Sequence, residues 1–170
     1  KASAARDEDF IEYVHQANMH STMMFFTEQG RLYWTKVYEL PEGNRQSKGR
    51  ALQNMINIQK GDKVCAFIHV KNLNDMEYVQ NHYLIFATKD GLMKKTTLES
   101  YSRPRANGII ALGLREDDRL IRVTLTDGNS QMLVASYNGK VVRFPEDTVR
   151  PMGRTATGVR AIKLDEDGQD

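Results

Sequence analysis

Apolar residues in this chain come in short runs, and three of these runs end at a turn that contains a glycine. The three runs superimpose: each has Thr or Ser three residues before the glycine and an apolar residue two residues after it. Asp90-Gly91 and Asn138-Gly139 are dipeptides that tight hairpin turns favour, because they tolerate positive φ. The pattern predicts three β-hairpins, with cores near residues 23–36, 84–97 and 132–144.

The positions after each hairpin also repeat. A second glycine follows the first by 17 to 19 residues, with an arginine shortly before it. These second glycines are Gly49, Gly108 and Gly158. The apolar segment after each of them predicts a further strand. Those strands are expected at residues 55–58, 110–114 and 159–164. An acid then precedes a last strand, which begins at Val64 in the first unit and at Leu120 in the second.

The start of the chain carries the same acid at the same distance from a hairpin, so residues 9–15 are predicted to be the last strand of a preceding unit. Residues 71–81 are interpreted as a polar loop between units. Four short strands in about 50 residues are typical of the blades of a propeller. We therefore expect one all-β domain fragment over residues 1–170, a partial ring of bladed repeats of four antiparallel strands each.

Composition narrows the class of protein. With 40% hydrophobic and 27% charged residues, the chain is typical of a folded globular domain. No apolar run approaches the ~20 residues of a membrane helix, and no secretory signal is visible after Lys1, so a cytoplasmic protein is expected. Cys65 is the single cysteine, which excludes a disulfide framework, and it is expected in the core. No metal-ligand spacing or phosphate-binding glycine loop is present, so no catalytic residue, metal or cofactor is expected.

The formal net charge is only +2, but the charges are unevenly distributed. Residues 31–60 carry six lysines and arginines against two glutamates, whereas acids cluster at 7–9, 116–118 and 165–167. Such segregation favours one basic face or rim.

Cations recur at matching places of the repeat, before or beside the second glycine and a few residues after the first. A cation at regular intervals is what contact with the phosphates of duplex DNA requires. The candidate DNA-binding residues are Arg45, Lys48, Arg50, Lys94, Lys95, Arg103, Arg105, Arg143, Arg154 and Arg160. Lys94 and Lys95 are neighbours on one strand, so at most one of them is expected to serve a given surface.

Three aromatic residues lie close to these cations, namely Tyr33, Trp34 and Tyr38. Aromatic side chains stack on exposed bases in single-strand-binding proteins. Aromatic residues at strand spacing are more often part of a blade core, and that is the interpretation we prefer for them.

Four blocks of sequence carry a resemblance to a known family. They are Arg45-Gln-Ser-Lys-Gly49, Phe86-Ala-Thr-Lys-Asp-Gly91, Arg103-Pro-Arg-Ala-Asn-Gly108 and Val149-Arg-Pro-Met-Gly-Arg-Thr-Ala-Thr-Gly158. In order and in register, over essentially the whole chain, they resemble the C-terminal domain of the DNA gyrase A subunit, part of a type IIA topoisomerase.

The resemblance implies a β-pinwheel, a ring of blades that exchange a strand with their neighbours. It implies a non-catalytic module that binds and bends duplex DNA around its rim and so supports negative supercoiling by the ATP-dependent enzyme. ATP and magnesium would belong to other parts of that enzyme. The implied partners are duplex DNA, the gyrase B subunit, plus the rest of the gyrase A subunit. The implied setting is the bacterial cytoplasm and nucleoid, with no membrane.

Two alternatives remain at this point. One is the related C-terminal domain of the topoisomerase IV A subunit. The other is a propeller that binds proteins and only shares the blade scaffold, which the low net charge favours. The family's ring usually has about six blades, against three hairpins here, and its Gln-Arg-Arg-Gly-Gly-x-Gly wrapping box is not in this sequence.

Overall fold

The computed structural model describes residues 11–164, and most of its regular structure is β-strand. Its strands are β1 (Thr22–Thr27), β2 (Arg31–Lys36), β3 (Val64–Val70), β4 (Tyr83–Thr88), β5 (Leu92–Thr97), β6 (Ile109–Ile110), β7 (Leu120–Thr126), β8 (Gln131–Ala135), β9 (Val141–Pro145) and β10 (Val159–Arg160). Short 3₁₀ turns cover Val37–Glu39, Leu52–Asn54, Leu98–Tyr101 and Glu146–Thr148.

The strands form two four-stranded antiparallel sheets and one separate hairpin. Blade 1 has the order β3-β1-β2-β6, blade 2 has the order β7-β4-β5-β10, and β8–β9 form hairpin 3. Each blade takes its edge strand from the next repeat unit, since β6 follows the second hairpin in sequence but pairs with β2 of the first. The strand β10 pairs with β5 in the same way. The expectation of an all-β fold with bladed four-stranded repeats is therefore confirmed.

The second glycines of the repeat permit this strand exchange. Gly108 has φ +68°, and a Cβ there would lie 2.6 Å from the carbonyl oxygen of Leu32 on β2. A Cβ at Gly158, where φ is +105°, would lie still closer to the carbonyl oxygen of Met93 on β5. Only a residue without a side chain fits such an approach at positive φ. The recurring glycine therefore marks where an exchanged strand docks on the preceding hairpin.

Two of the predicted strands do not form in the described residues. Residues 11–15 form no strand, while residues 9 and 10 lie outside the described part of the chain. Residues 55–58 form no strand either and follow the 3₁₀ turn Leu52–Asn54. In the described units, the strand that corresponds to residues 9–15 pairs with the hairpin of its own unit, as β7 pairs with β4, and the strand that corresponds to residues 55–58 pairs with the hairpin of the preceding unit, as β6 pairs with β2. Within residues 11–164, no hairpin precedes β1. Accordingly, a Cβ at Gly49 would meet nothing within 4 Å.

The hydrophobic core lies mainly between blades 1 and 2. Phe26 of β1 and Phe86 of β4 meet edge to face with ring centroids 5.5 Å apart, and both side chains are fully buried. A smaller cluster around Ile85, Met93 and Val149 joins blade 2 to hairpin 3. Blade 2 thus packs against blade 1 on one face and against hairpin 3 on the other, as in a propeller.

The segment interpreted as a polar loop contains a short helix, α1 (Met76–Asn81). Asp75 caps it, because its carboxylate accepts a hydrogen bond of 3.0 Å from the backbone N–H of Tyr78. An aspartate directly before an apolar residue is a signal for the start of a helix, and the interpretation of residues 71–81 as a polar loop missed it.

Cys65 lies on β3 and packs against the core between the blades, partly buried. Burial raises the pKa of its thiol to about 12. The thiol is therefore protonated at neutral pH and has little nucleophilic character.

Candidate nucleic-acid interface

Three of the predicted arginines converge on one cleft of about 510 Å³, which we call the arginine cleft. It is lined by Met76, Glu99, Ser100, Ser102, Arg103, Arg105, Ile109 and Arg154. The second repeat unit contributes Arg103 and Arg105, and the third contributes Arg154. The recurrence of an arginine before the second glycine therefore places cations from two successive units around one site.

The arginines lie on the two loops that lead into the exchanged strands. Arg103 and Arg105 stand between the 3₁₀ turn Leu98–Tyr101 and β6. At the start of this loop, the Ser102 hydroxyl donates a hydrogen bond of 2.8 Å to the Glu99 carbonyl. At its end, the Gly108 N–H donates to the Arg105 carbonyl at 2.9 Å. The loop is thus held at both ends by backbone acceptors.

The cleft carries an excess of positive charge. Arg103 and Arg105 are exposed and Arg154 is half-buried, and the lining includes one carboxylate, that of Glu99. Within residues 11–164, no carboxylate lies within 4.0 Å of these three guanidinium groups. Guanidinium groups that have no internal carboxylate partner are available for bidentate contact with phosphate oxygens.

Lys94 is not a surface cation, and its assignment as a DNA-binding residue is wrong. It is 1% exposed, and its ammonium group lies 4.7 Å from the ring centroid of Phe86. The Nζ atom donates to the backbone carbonyls of Ala111 and Arg154 and to the hydroxyl of Tyr101. The side chain of Lys94 points into the core between blades 1 and 2, so it is buried and not available at the surface.

The assignment of Lys95 is wrong as well. It is 4% exposed and forms an ion pair of 3.0 Å with the buried carboxylate of Glu146. Thr126 donates a hydrogen bond of 2.6 Å to the same carboxylate. Strand alternation correctly places the two lysines on opposite faces, but both faces of β5 are buried. Lys95 therefore joins blade 2 to the segment after hairpin 3 and is not available to a ligand.

A second cleft of about 740 Å³ lies at blade 1 and contains Arg50. Its lining is Thr35, Glu39, Pro41, Arg50, Asn54 and Met55. Arg50 follows Gly49 as Ile109 follows Gly108, so the two clefts occupy related positions in successive units. Arg45 and Lys48 are exposed on the loop that leads to this cleft.

Arg143 and Arg160 are exposed but lie outside both clefts, on β9 and β10 respectively. Arg160 stands opposite Leu92 on the outer strand of blade 2.

The aromatic residues belong mainly to the cores. Tyr33 is 2% exposed, and Trp34 packs against the core between the blades. The Trp34 Nε1–H donates a hydrogen bond of 3.1 Å to the carbonyl of Tyr101. Tyr38 is half-exposed. The interpretation as blade core therefore holds for Tyr33 and Trp34.

Five residues of the arginine cleft were not predicted as site residues: Met76, Glu99, Ser100, Ser102 and Ile109. Met76 comes from α1, Ile109 from β6, and the other three come from or follow the 3₁₀ turn after β5. No repeat signal marks these residues as a site, because the cleft forms only when the units pack together. Within the described range, no helix is long and apolar enough to cross a membrane, and no group of three or more His, Cys, Asp or Glu side chains is placed to hold a metal ion.

A family model described as the DNA gyrase C-terminal domain, beta-propeller, matches residues 21–71, 82–127 and 131–169. The chain belongs to this family. The three matched segments begin at or just before the first strand of each hairpin, so the family's repeat coincides with the units described above.

Whole gyrase A subunits are similar to this member of the gyrase C-terminal-domain family. The DNA gyrase A subunit of Haemophilus influenzae is 45% identical over 163 residues, covering 96% of this chain and 18% of the relative. The DNA gyrase A subunit of Salmonella typhimurium is 46% identical over the same length. The chain thus spans about a fifth of the length of these relatives.

Two solved structures share the fold. The C-terminal domain of DNA topoisomerase IV superposes with a TM-score of 0.81 at 30% identity, covering 96% of this chain and 49% of that one. The DNA gyrase A C-terminal domain superposes with a TM-score of 0.70 at 21% identity, covering 88% and 46%. The chain corresponds to about half of either domain.

Proposed function

We propose that this chain is a non-catalytic module of the DNA gyrase A subunit that binds and bends duplex DNA along its rim. The observation that carries the proposal is the arginine cleft, where guanidinium groups of two successive units converge without a carboxylate partner in the described residues. Family membership supports the assignment to gyrase.

Phosphate contact needs cations at a spacing that follows the DNA backbone, and it needs no recognition of base edges. The related clefts at Arg50 and at Arg103, Arg105 and Arg154 supply cations once per unit. Duplex DNA that follows successive units of a curved array is bent by these backbone contacts alone. Bending by this route supports strand passage that introduces negative supercoils.

In this proposal the module acts with the rest of the gyrase A subunit, together with the gyrase B subunit. ATP hydrolysis and the magnesium-dependent cleavage chemistry belong to those parts of the enzyme. The setting is the bacterial cytoplasm, in association with the nucleoid. The identity of 45–46% to gyrase relatives supports this assignment over the topoisomerase IV module.

The experiment compares the wild-type chain with Arg103→Ala, Arg105→Ala and Arg154→Ala, singly and together, on two duplexes of unrelated sequence. Each single change is expected to weaken binding by about fivefold, equally on both sequences, because it removes a phosphate contact. The exposed Arg115, which is outside the cleft, provides the matched control as Arg115→Ala. If the triple variant bound DNA as tightly as the control, the cleft would not be the DNA site.

The topoisomerase IV module is kept as a second candidate because of the TM-score of 0.81. Ligation of a nicked circular plasmid in the presence of the chain separates the two. If the chain wraps DNA, as proposed for the gyrase module, ligation in its presence changes the linking number of the circle. The change persists after the protein is removed. DNA binding without such a change would favour a module that binds DNA but does not wrap it.

A further inference from the structure

The ammonium group of Lys94 connects three separate parts of the molecule. Its Nζ donates to the carbonyl of Ala111 at 2.7 Å, to the hydroxyl of Tyr101 at 3.3 Å and to the carbonyl of Arg154. Tyr101 in turn donates its proton to the Ala111 carbonyl at 2.7 Å. The three N–H donors of the ammonium are therefore matched by three oxygen acceptors.

This arrangement is unusual because the charge has no anionic partner. Among the described residues no carboxylate lies within 4.0 Å of Lys94, whereas the neighbouring Lys95 is paired with Glu146. A buried ammonium without a counterion is costly. The matching positions of the other units hold Tyr33 and Val142, so the blade scaffold does not require a lysine here.

The acceptors of Lys94 lie beside both loops of the arginine cleft. Tyr101 ends the 3₁₀ turn that precedes the loop of Arg103 and Arg105, and Arg154 offers its own backbone carbonyl. The two units also touch nearby, where the Gly113 N–H donates to the Ala156 carbonyl at 3.2 Å. Lys94 thus links the arginine of the third unit to the arginines of the second.

A similar device occurs one unit earlier. The guanidinium of Arg31 on β2 donates a hydrogen bond of 3.1 Å to the carbonyl of Asn107, in the loop that carries Arg103 and Arg105. In both cases a cation on the second strand of a hairpin donates to a backbone carbonyl of the next unit, in the loop that carries that unit's cleft arginines.

We propose that Lys94 is a positioning residue that holds the Arg154 loop against the second unit and so sets the spacing of Arg154 from Arg103 and Arg105 for contact with DNA phosphates. This inference rests on the proposed function. Lys94 itself touches no DNA in this account.

The protonation of Lys94 gives the proposal a specific signature. Burial, with a smaller contribution from the Arg154 charge, lowers the pKa of Lys94 to about 7. The ionisable groups that face it are Tyr101 and Arg154, with Arg103, Arg105 and Glu99 around the cleft beyond. Bound phosphates favour the ammonium form and raise its pKa. DNA binding then takes up a proton, and affinity falls as pH rises above 7, by at most about tenfold per pH unit.

The test is a double-mutant cycle on DNA affinity with Lys94→Met, Arg154→Ala and the combination. Lys94→Met is expected to weaken binding by about fivefold, as Arg154→Ala does, and to have no further effect when Arg154 is already alanine. A variant that merely loosened the fold would weaken binding in both backgrounds. Lys95→Met combined with Glu146→Leu, which removes the other buried lysine of β5 together with its counterion, serves as the control and is expected to leave the pH dependence intact.

Outcomes for the two proposals are distinguishable. If Arg154→Ala and the other arginine variants bind DNA like wild type, the proposed function fails. If they lose affinity while Lys94→Met binds like wild type with the same pH profile, only the positioning role of Lys94 is refuted. Should Lys94→Met fail to fold, Tyr101→Phe replaces it, since that change deletes one acceptor of the ammonium and keeps the ring. The inference would also be overturned if a folded Tyr101→Phe variant bound DNA with the affinity of wild type and neither protein showed a loss of affinity above pH 7.

Discussion

The glycine at the exchanged strand provides a sharp test of the fold, because the chain contains a matched pair. Gly108 and Gly49 occupy the same place in successive units and have φ of +68° and +70°. They differ in their surroundings: a Cβ at Gly108 would lie 2.6 Å from the Leu32 carbonyl oxygen, whereas at Gly49 it would meet nothing within 4 Å. Replacing each by alanine therefore separates backbone strain from loss of strand docking.

The magnitudes follow from these two contributions. Alanine in the left-handed region costs about 1–2 kcal/mol, and this cost applies to both positions. At Gly108 the new methyl group also collides with backbone and with the ring of Tyr33, which adds about 1–3 kcal/mol of overpacking. We expect Gly49→Ala to lower the free energy of unfolding by about 1 kcal/mol and Gly108→Ala by about 3 kcal/mol.

Urea unfolding followed by the fluorescence of Trp34, the single tryptophan, measures both values. Trp34 is a suitable probe because it packs against the core between the blades. Equal destabilisation by the two substitutions would refute the reasoning, since it would mean that the exchanged strand β6 does not dock on β2 through Gly108. A larger effect at Gly49 would refute it as well.

Three further results are expected. Lys95→Met leaves the carboxylate of Glu146 buried without its counterion and should lower the free energy of unfolding, measured by urea titration, by about 3–5 kcal/mol. The double variant Lys95→Met with Glu146→Leu removes both charges and should recover much of this loss. The pKa of Lys94 is lowered from its ordinary value of 10.5 to about 7, so between pH 7 and 10.5 the unfolded chain binds more protons than the folded chain. The free energy of unfolding should therefore rise with pH in this range. If the rise persisted in a Lys94→Met variant, it would not come from Lys94. Because burial raises the pKa of the Cys65 thiol to about 12, alkylation by iodoacetamide at pH 8 should be far slower in the folded chain than in urea; equal rates would show that the thiol is not protected.

The hairpins and their turns follow from local sequence, because an apolar run, a short polar turn and a glycine act within about a dozen residues. The exchange of strands does not follow from local sequence. β6 pairs with a hairpin that lies more than 70 residues earlier, with Ile109 opposite Leu32 and Ile110 opposite Arg31. The recurrence of the second glycine indicates a structural repeat, but only the packing of the folded chain shows that Gly108 lies against Leu32.

The candidate site divides in the same way. Recurrence identified Arg103, Arg105 and Arg154, and the structure brings these three together around one cleft. The same reasoning failed for Lys94 and Lys95, because alternation along a strand separates two faces without telling whether either is exposed. In a stack of blades both faces of an inner sheet are covered, and a lysine there becomes an internal donor.

Binding of duplex DNA through phosphate contacts at the arginine loops is central to the proposed function. The most direct measurement is the affinity for a random-sequence duplex of about 40 base pairs across a salt series, for wild type and for the triple variant Arg103→Ala, Arg105→Ala and Arg154→Ala. A log–log slope of about −3 or steeper is expected for wild type, at about −0.9 per phosphate, with the slope of the triple variant shallower by about 2 to 3. No binding at low salt, or identical slopes for the two proteins, would contradict the account.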